Sequence, residues 1–220
     1  MLKSGILLID KPEGITSHDV VDIVRRKFNL RRVGHTGTLD PLATGLLIIL
    51  VGGATKQFNR FVNFDKGYIA SLRLGIATDS GDSQGKVIAR SNYDELSQED
   101  IRLVLKNLEG KIESIPPMVS ALKHKGRRLY ALARKGITVE RKARQVEIYS
   151  LKLRSFALPD IEFEVKCSKG TYVRSLGEEI ARRLNSLGHI FKIRRISVGP
   201  YSVAEAKGID AFDEDDIRPG

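Results

Sequence analysis

Apolar residues fall into two kinds of run along this chain. GILLID (5–10) and LLIILVG (46–52) are nearly continuous, the pattern of strands buried on both faces. YIASLRLG (68–75) alternates instead, with Tyr68, Ala70, Leu72 and Leu74 on one side. VEIYSLKLRSF and IEFEVKCS predict two further strands, joined as a hairpin across Ala157 to Asp160, and HIFKIRRISVG predicts another. Helical spacing appears at Val20, Val21, Val24 and Phe28, with Ser17 as the expected N-cap. It appears again at Ile101, Val104, Leu105 and Leu108 after Ser97, and in the amphipathic TYVRSLGEEIARRL. Shorter helices are predicted around Lys56 to Val62 and Arg128 to Lys135, while Pro116-Pro117 bars a helix at the start of IPPMVSALKHKGR.

These elements mix without regular βαβ spacing. They predict an α+β domain around a large, mainly antiparallel mixed sheet flanked by helices. There is no internal repeat, and no Gly/Ser/Pro-rich linker marks a boundary. With 220 residues, 41% of them hydrophobic and 29% charged, the chain has the composition of an ordinary folded domain. No run approaches about 18 consecutive apolar residues, so no membrane span is expected. The short apolar run near the start lacks the length of a signal peptide, and the expected location is the cytoplasm. The single cysteine, Cys167, excludes an internal disulfide, and four scattered histidines give no metal-ligand spacing. No metal and no cofactor are expected.

Charge changes the picture. The formal net charge is +10, with 37 Lys and Arg against 27 Asp and Glu. Such an excess suggests a polyanionic partner, nucleic acid first. The basic residues cluster at Arg25-Arg26-Lys27 with Arg31-Arg32, at Lys123, Lys125, Arg127 and Arg128, at Arg134-Lys135, at Arg141, Lys142 and Arg144, and at Lys192, Arg194 and Arg195. Acidic residues gather in the last segment, Asp210 to Asp216. A basic face on the folded body is the expectation.

Common catalytic motifs are missing: no P-loop, no nucleophile elbow, no HExxH. Asp79, Gly81 and Ser83 are spaced like the start of a calcium loop, but Arg90 stands where the closing Glu belongs. What remains is the long Gly-, Thr- and Pro-rich segment from Arg31 to Gly45, set between two confident apolar elements. Within it, GHTGTLDPLATG holds one carboxylate, Asp40, on a backbone stiffened by Pro41. Two readings stand at this point: an Asx-turn residue, and a catalytic carboxylate presented from a fixed loop.

GHTGTLDPLATG resembles very closely the catalytic loop of the TruB family of pseudouridine synthases. Four further blocks follow the family's order: LLIDKP (7–12), the K-x-Y-x-x-x-x-x-L-G strand (66–75), PMVSALK with GRRLY (117–130), and CSKGTYVRSL (167–176). The resemblance implies a mixed catalytic domain with a central active-site cleft, and isomerisation of a uridine in tRNA to pseudouridine without metal or cofactor. By position, Asp40 matches the catalytic nucleophile and Arg174 the arginine that pairs with it. Tyr68 matches the tyrosine that stacks on the target base, Tyr172 and Ile193 further walls of the uracil pocket, and His35 the histidine that fills the gap left by the flipped uridine. Lys11 and Pro12 match a supporting block near the cleft.

PLATG after the aspartate is similar to the stand-alone bacterial type, which implies the T-loop uridine (position 55 in tRNA numbering) as target and the T-arm as binding partner. The alternatives are a guide-RNA-dependent catalytic subunit and a tRNA-binding folding helper. The catalytic domain is expected over residues 1–205, followed by an acidic tail over 206–220. The PUA-type C-terminal domain usual in the family is expected to be absent from this chain, and a monomer is expected.

Overall fold

A computed structural model describes residues 4–120, 122–124, 126–133 and 135–219. Ala121, Lys125 and Arg134, hence part of the expected basic clusters and of the Arg128 to Lys135 helix, lie outside the described residues, as does the side chain of Lys123. In chain order the elements begin β1 (Gly5–Lys11), α1 (Ser17–Phe28), β2 (Val33–His35), β3 (Thr44–Val51), α2 (Phe58–Val62), β4 (Lys66–Leu74), β5 (Ile76–Thr78), β6 (Val87–Arg90), α3 (Gln98–Lys106) and β7 (Gly110–Ser114). They continue with β8 (Lys123–His124), β9 (Arg127–Arg128), α4 (Leu129–Ala133), β10 (Arg144–Ala157), β11 (Asp160–Cys167), α5 (Val173–Arg183), β12 (Gly188–Val198), β13 (Tyr201–Ser202) and β14 (Lys207–Gly208). The expected mixed α+β fold with a mainly antiparallel sheet is what forms.

The chain divides into two compact units, Met1–Tyr68 with Ile193–Gly220, and Ile69–Lys192. The divisions fall inside strands β4 and β12, where no change of composition marks them. In the first unit the sheet order is β14-β1-β3-β12-β4, with β2 paired to β3 and β13 to β12. β1 runs antiparallel to β3, from Gly5 opposite Val51 to Lys11 opposite Gly45. β12 lies parallel on the other side of β3, with Arg195 opposite Gly45. Every residue from Gly5 to Ile9 and from Gly45 to Val51 is buried, which accounts for the unbroken apolar runs. On one face Ile6, Leu8, Leu46, Ile48, Leu50, Phe61 and Val198 form a single core.

Helix α1 begins one residue earlier than the sequence suggests. Thr16, not Ser17, is the N-cap, in a reciprocal capping box with Asp19. Ser17 is the first helical residue, and its buried hydroxyl has another use, described below. The expected Lys56 to Val62 helix is a 3-10 turn over Gly52–Gln57 leading into α2. The acidic segment after residue 205 packs on this unit. Its β14 pairs with β1, Arg218 bridges to Ile6, and the segment thereby covers an otherwise open edge. Phe212 anchors it, edge-on to Phe28 at 5.5 Å, with the Lys27 ammonium 4.4 Å from its ring centre.

In the second unit the order is β12-β4-β11-β10-β7. β10 and β11 form the expected hairpin, with two register shifts along β10. Ser97 caps α3 as expected, in a capping box with Asp100. Helix α5 approaches β12 closely: a Cβ on Gly177 would stand 2.6 Å from Ile190 Cδ1. That approach fixes the helix whose first turn carries Arg174.

Phe212 is fully buried although it lies in a polar, acidic stretch. Phe212→Ala is expected to lower the unfolding free energy by about 3 kcal/mol. Urea denaturation measures it, and an unchanged midpoint would show that the last segment adds nothing to the fold.

Candidate active site

Asp40 sits half-buried in the loop between β2 and β3. Its carbonyl accepts from the Ala43 N–H at 3.0 Å, closing a tight turn that has Pro41 at its second position. Leu39, Leu42 and Ala43 are buried on either side of Asp40, and hydrogen bonds hold the main chain between them. The Ser17 hydroxyl accepts from the Leu39 N–H at 2.8 Å and donates to the Leu39 carbonyl at 3.1 Å. The Gly14 N–H donates to the Pro41 carbonyl at 2.9 Å.

Lys11 is completely buried at the end of β1. Its ammonium donates to the carbonyls of Pro12 (2.7 Å), Ile15 (2.8 Å) and Pro41 (3.4 Å). All three of its N–H bonds are thereby directed at main chain, two on its own segment and one on the residue after Asp40. Burial pushes Lys11 down to about 8, and attraction to the Asp40 carboxylate opposes that shift. The support role expected of Lys11 therefore has a geometry: it joins the chain leaving β1 to the loop bearing Asp40. Pro12 is exposed beside it.

Arg195 is the residue that sequence reading placed wrongly. It was expected among the basic surface residues, yet it is 3% exposed. Its guanidinium donates from Nε to the Leu46 carbonyl (2.7 Å) and from Nη2 to the Gly37 carbonyl (3.2 Å). Arg194 also does not belong to a free basic patch: it forms a two-pronged pair with Asp10 at 3.0 and 2.7 Å. The backbones of Arg195 and Gly45 are so close that a Cβ on Gly45, whose φ is +100°, would lie 2.3 Å from the Arg195 carbonyl oxygen. Glycine is required there by both conformation and space.

The other first-unit candidates lie on neighbouring strands. Ile193, buried on β12, accepts from the Thr44 hydroxyl at 3.4 Å. Tyr68, buried, is on β4, the strand beside β12. His35 ends β2, half-buried, and its Nδ1 is enclosed with no hydrogen-bond partner among the described residues. Burial, aided by the positive charge of Arg195, holds His35 below the ordinary imidazole value, which favours the neutral ring.

Tyr172 and Arg174 belong to the second unit. Tyr172 precedes α5 as its half-buried N-cap residue, and Arg174 is 2% exposed in the first turn. The Arg174 guanidinium donates to the carbonyls of Ser80 (2.9 Å) and Val119 (2.7 Å). It also lies 3.6 Å from the buried Asp82 carboxylate. Asp82 is held in turn by the Ser80 hydroxyl (2.6 Å) and the Gln84 N–H (3.1 Å). The calcium-loop comparison of Asp79, Gly81 and Ser83 passes over Asp82. The available signal was a dense Asp/Ser/Gly run unused by any metal pattern. Also in this unit, a cavity of about 360 Å³ has Arg141, Lys142, Arg144 and His124 in its wall. Among the described residues no group of three or more His, Cys, Asp or Glu could hold a metal ion, and no helix is long and apolar enough to cross a membrane.

Since Asp40 raises the Lys11 value, its neutralisation has a defined sign. By NMR, the Lys11 side chain is expected to titrate with a midpoint of about 8, identified by its loss in Lys11→Arg. In Asp40→Asn that midpoint is expected to fall further. The folded value lies below that of the unfolded chain, so the cost of burying the cation is full below pH 8. It fades as pH rises from there towards about 10.4. A Lys11 midpoint indifferent to Asp40→Asn would place the carboxylate outside the field of the ammonium.

A family model described as TruB family pseudouridylate synthase (N terminal domain) matches residues 25–173. A tRNA pseudouridine synthase B from Francisella tularensis subsp. tularensis (strain WY96-3418) is 48% identical over 204 residues, covering 92% of this chain and 68% of that one. One from Hydrogenovibrio crunogenus is 49% identical over 195 residues, with 89% and 64% covered. One from Clostridium kluyveri is 48% identical over 214 residues, with 97% and 73% covered. The chain thus spans about two thirds of the length of these relatives. Among solved structures, a chain of a Cbf5-Nop10-Gar1 complex aligns with a TM-score of 0.74 at 27% identity, covering 94% of this chain and 54% of that chain. With the loop of Asp40 and the buried Arg174 in place, these matches settle the family: the chain belongs to the TruB family of pseudouridylate synthases.

Proposed function

We propose that this chain isomerises the T-loop uridine of tRNA to pseudouridine, with Asp40 as the nucleophile. The observation that carries the reading is the Asp40 loop itself, a carboxylate presented from a turn fixed by buried donors on both sides. Uridine and pseudouridine have the same atoms. The N1–C1′ bond breaks, the C5–C1′ bond forms, C5 loses a proton and N1 gains one. A carboxylate suits this exchange, because it can attack C1′ of the ribose or C6 of the uracil and leave again. Arg174 is assigned to pair with Asp40, Tyr68 to stack on the uracil, and Tyr172 and Ile193 to enclose it. Within the second unit, the buried pair of Arg174 with Asp82 fixes the guanidinium before substrate arrives.

A uracil within a stacked loop cannot reach such a carboxylate, so the base must be extruded at a cost of a few kcal/mol. Stacking on an aromatic ring offsets about 1–3 kcal/mol of that. His35, favoured in its neutral form and with an enclosed ring nitrogen to satisfy, is assigned to the space the uridine vacates. Identity of 48% to a tRNA pseudouridine synthase B, against 27% to the Cbf5 chain, favours the stand-alone over the guided reading.

Incubation with unmodified tRNA transcript, followed by pseudouridine mapping, tests the reading. Asp40→Asn is expected to abolish product while changing tRNA affinity by less than about tenfold, or 1.4 kcal/mol. Turnover by that variant would remove Asp40 from the role. Binding tests the basic surface separately. Three or four phosphate contacts give a slope of about −3 for log affinity against log salt. Affinity insensitive to salt would mean that Arg141, Lys142 and Arg144 do not face RNA.

A further inference from the structure

We propose that Arg195 is a positioning residue for the nucleophile, a staple that sets where the Asp40 carboxylate stands. The inference rests on Asp40 being that nucleophile. One guanidinium reaches two carbonyls on opposite sides of Asp40, Gly37 three residues before it and Leu46 six residues after. The two bonds span the whole turn. They leave from adjacent branches of one planar group, so the separation of the two loop ends is set by covalent geometry and not by a flexible chain. The anchor does not move, because Arg195 is buried and its backbone is registered against Gly45 in the parallel β3–β12 pair. Lys11 grips the same loop between those points, at Pro41.

Lysine does not reproduce this arrangement. An ammonium can reach more than one carbonyl, as Lys11 does, but its donors diverge from one freely rotating point, so it does not hold Gly37 and Leu46 at the fixed separation of a planar fork. Arg195→Lys keeps the charge and loses the span. Misplacement of a reacting group by about 1 Å costs about 10²-fold in rate. Turnover is therefore the quantity that moves, and RNA binding is not, because a buried guanidinium occupied by main chain offers nothing to a phosphate.

The test compares wild type, Arg195→Lys, Arg195→Gln and Asp40→Asn on a T-arm stem-loop. Single-turnover rate, RNA affinity, thermal midpoint and amide hydrogen exchange are read for each. Both Arg195 variants are expected to lose about 10²-fold in rate with affinity unchanged within about twofold. The amides of Leu39 and Ala43 should exchange faster, while those in the β1–β3 ladder keep their protection. That local loss separates positioning from general support, which would expose ladder and loop together. Wild-type rate in Arg195→Lys would overturn the proposal, as would lost affinity with the rate preserved. Failure of both variants to fold would also overturn it, assigning the guanidinium to the core as a whole. Activity in Asp40→Asn would instead overturn the nucleophile assignment, whatever the Arg195 variants do.

Discussion

A carbonyl oxygen that points into a protein must find a donor, and the loop of Asp40 turns several inward. Cations supply them. Lys11 donates to three main-chain carbonyls, Arg195 to two, and in the second unit Arg174 to two more. Each is almost completely buried. Burying a charge is costly unless its hydrogen bonds are made, and here they are made to the backbone that needs fixing. A hydrophobic anchor of the same volume would make none of these bonds. It would also let the loop slide, because apolar contact has no direction.

The same arrangement changes how the net charge is read. A formal +10 counts Lys11, Arg174 and Arg195 as though they met solvent, and counts Arg194 as free although Asp10 holds it. The basic surface that remains is carried by residues such as Arg31, Arg32, Arg127, Arg128 and Lys142, all exposed. In the acidic last segment, the Asp213 and Asp216 carboxylates cap its short turn, and Asp216 also pairs with Lys207. Phosphate binding therefore falls to fewer residues than composition suggests. Several of the cations are buried and bonded to main chain instead.

What the sequence reveals follows from how local each cause is. The runs of β1 and β3 are legible because burial on both faces leaves no polar position. The cap at Ser97 is legible because a capping box lies within four residues. Ser17 fails as a cap because Thr16 beside it has the same chemistry and the correct phase, while Ser17 is drawn to Leu39, 22 residues away. Arg195 fails for a related reason. It stands next to Arg194 in a basic cluster, and only the register of β12 against β3 turns one arginine inward and pairs the other with Asp10. The Asp40 motif itself was legible through resemblance. From residue chemistry alone it stayed an Asp-Pro turn with two readings. Asp82 escaped because its partner, Arg174, lies 92 positions further along the chain.

Distance along the chain also orders the assembly of the site. The contacts from Arg195 to Leu46 and Gly37 close loops of 149 and 158 residues. Loop closure on that scale costs only modestly more than over short spans, but it cannot occur until β12 has paired with β3. Apart from that guanidinium, the segment from Gly37 to Leu46 has donors from the start of the chain: the Ser17 hydroxyl, the Lys11 ammonium and the Gly14 N–H. The turn at Asp40 therefore draws its local donors from the first strand and helix, and the guanidinium that spans it from the returning strand. Gly45 is the hinge of that logic. Lys11 is registered against it on one side and Arg195 on the other, and with no side chain it lets both strands approach. A larger residue there would part the strand from the loop and separate the fold from its chemistry at one position.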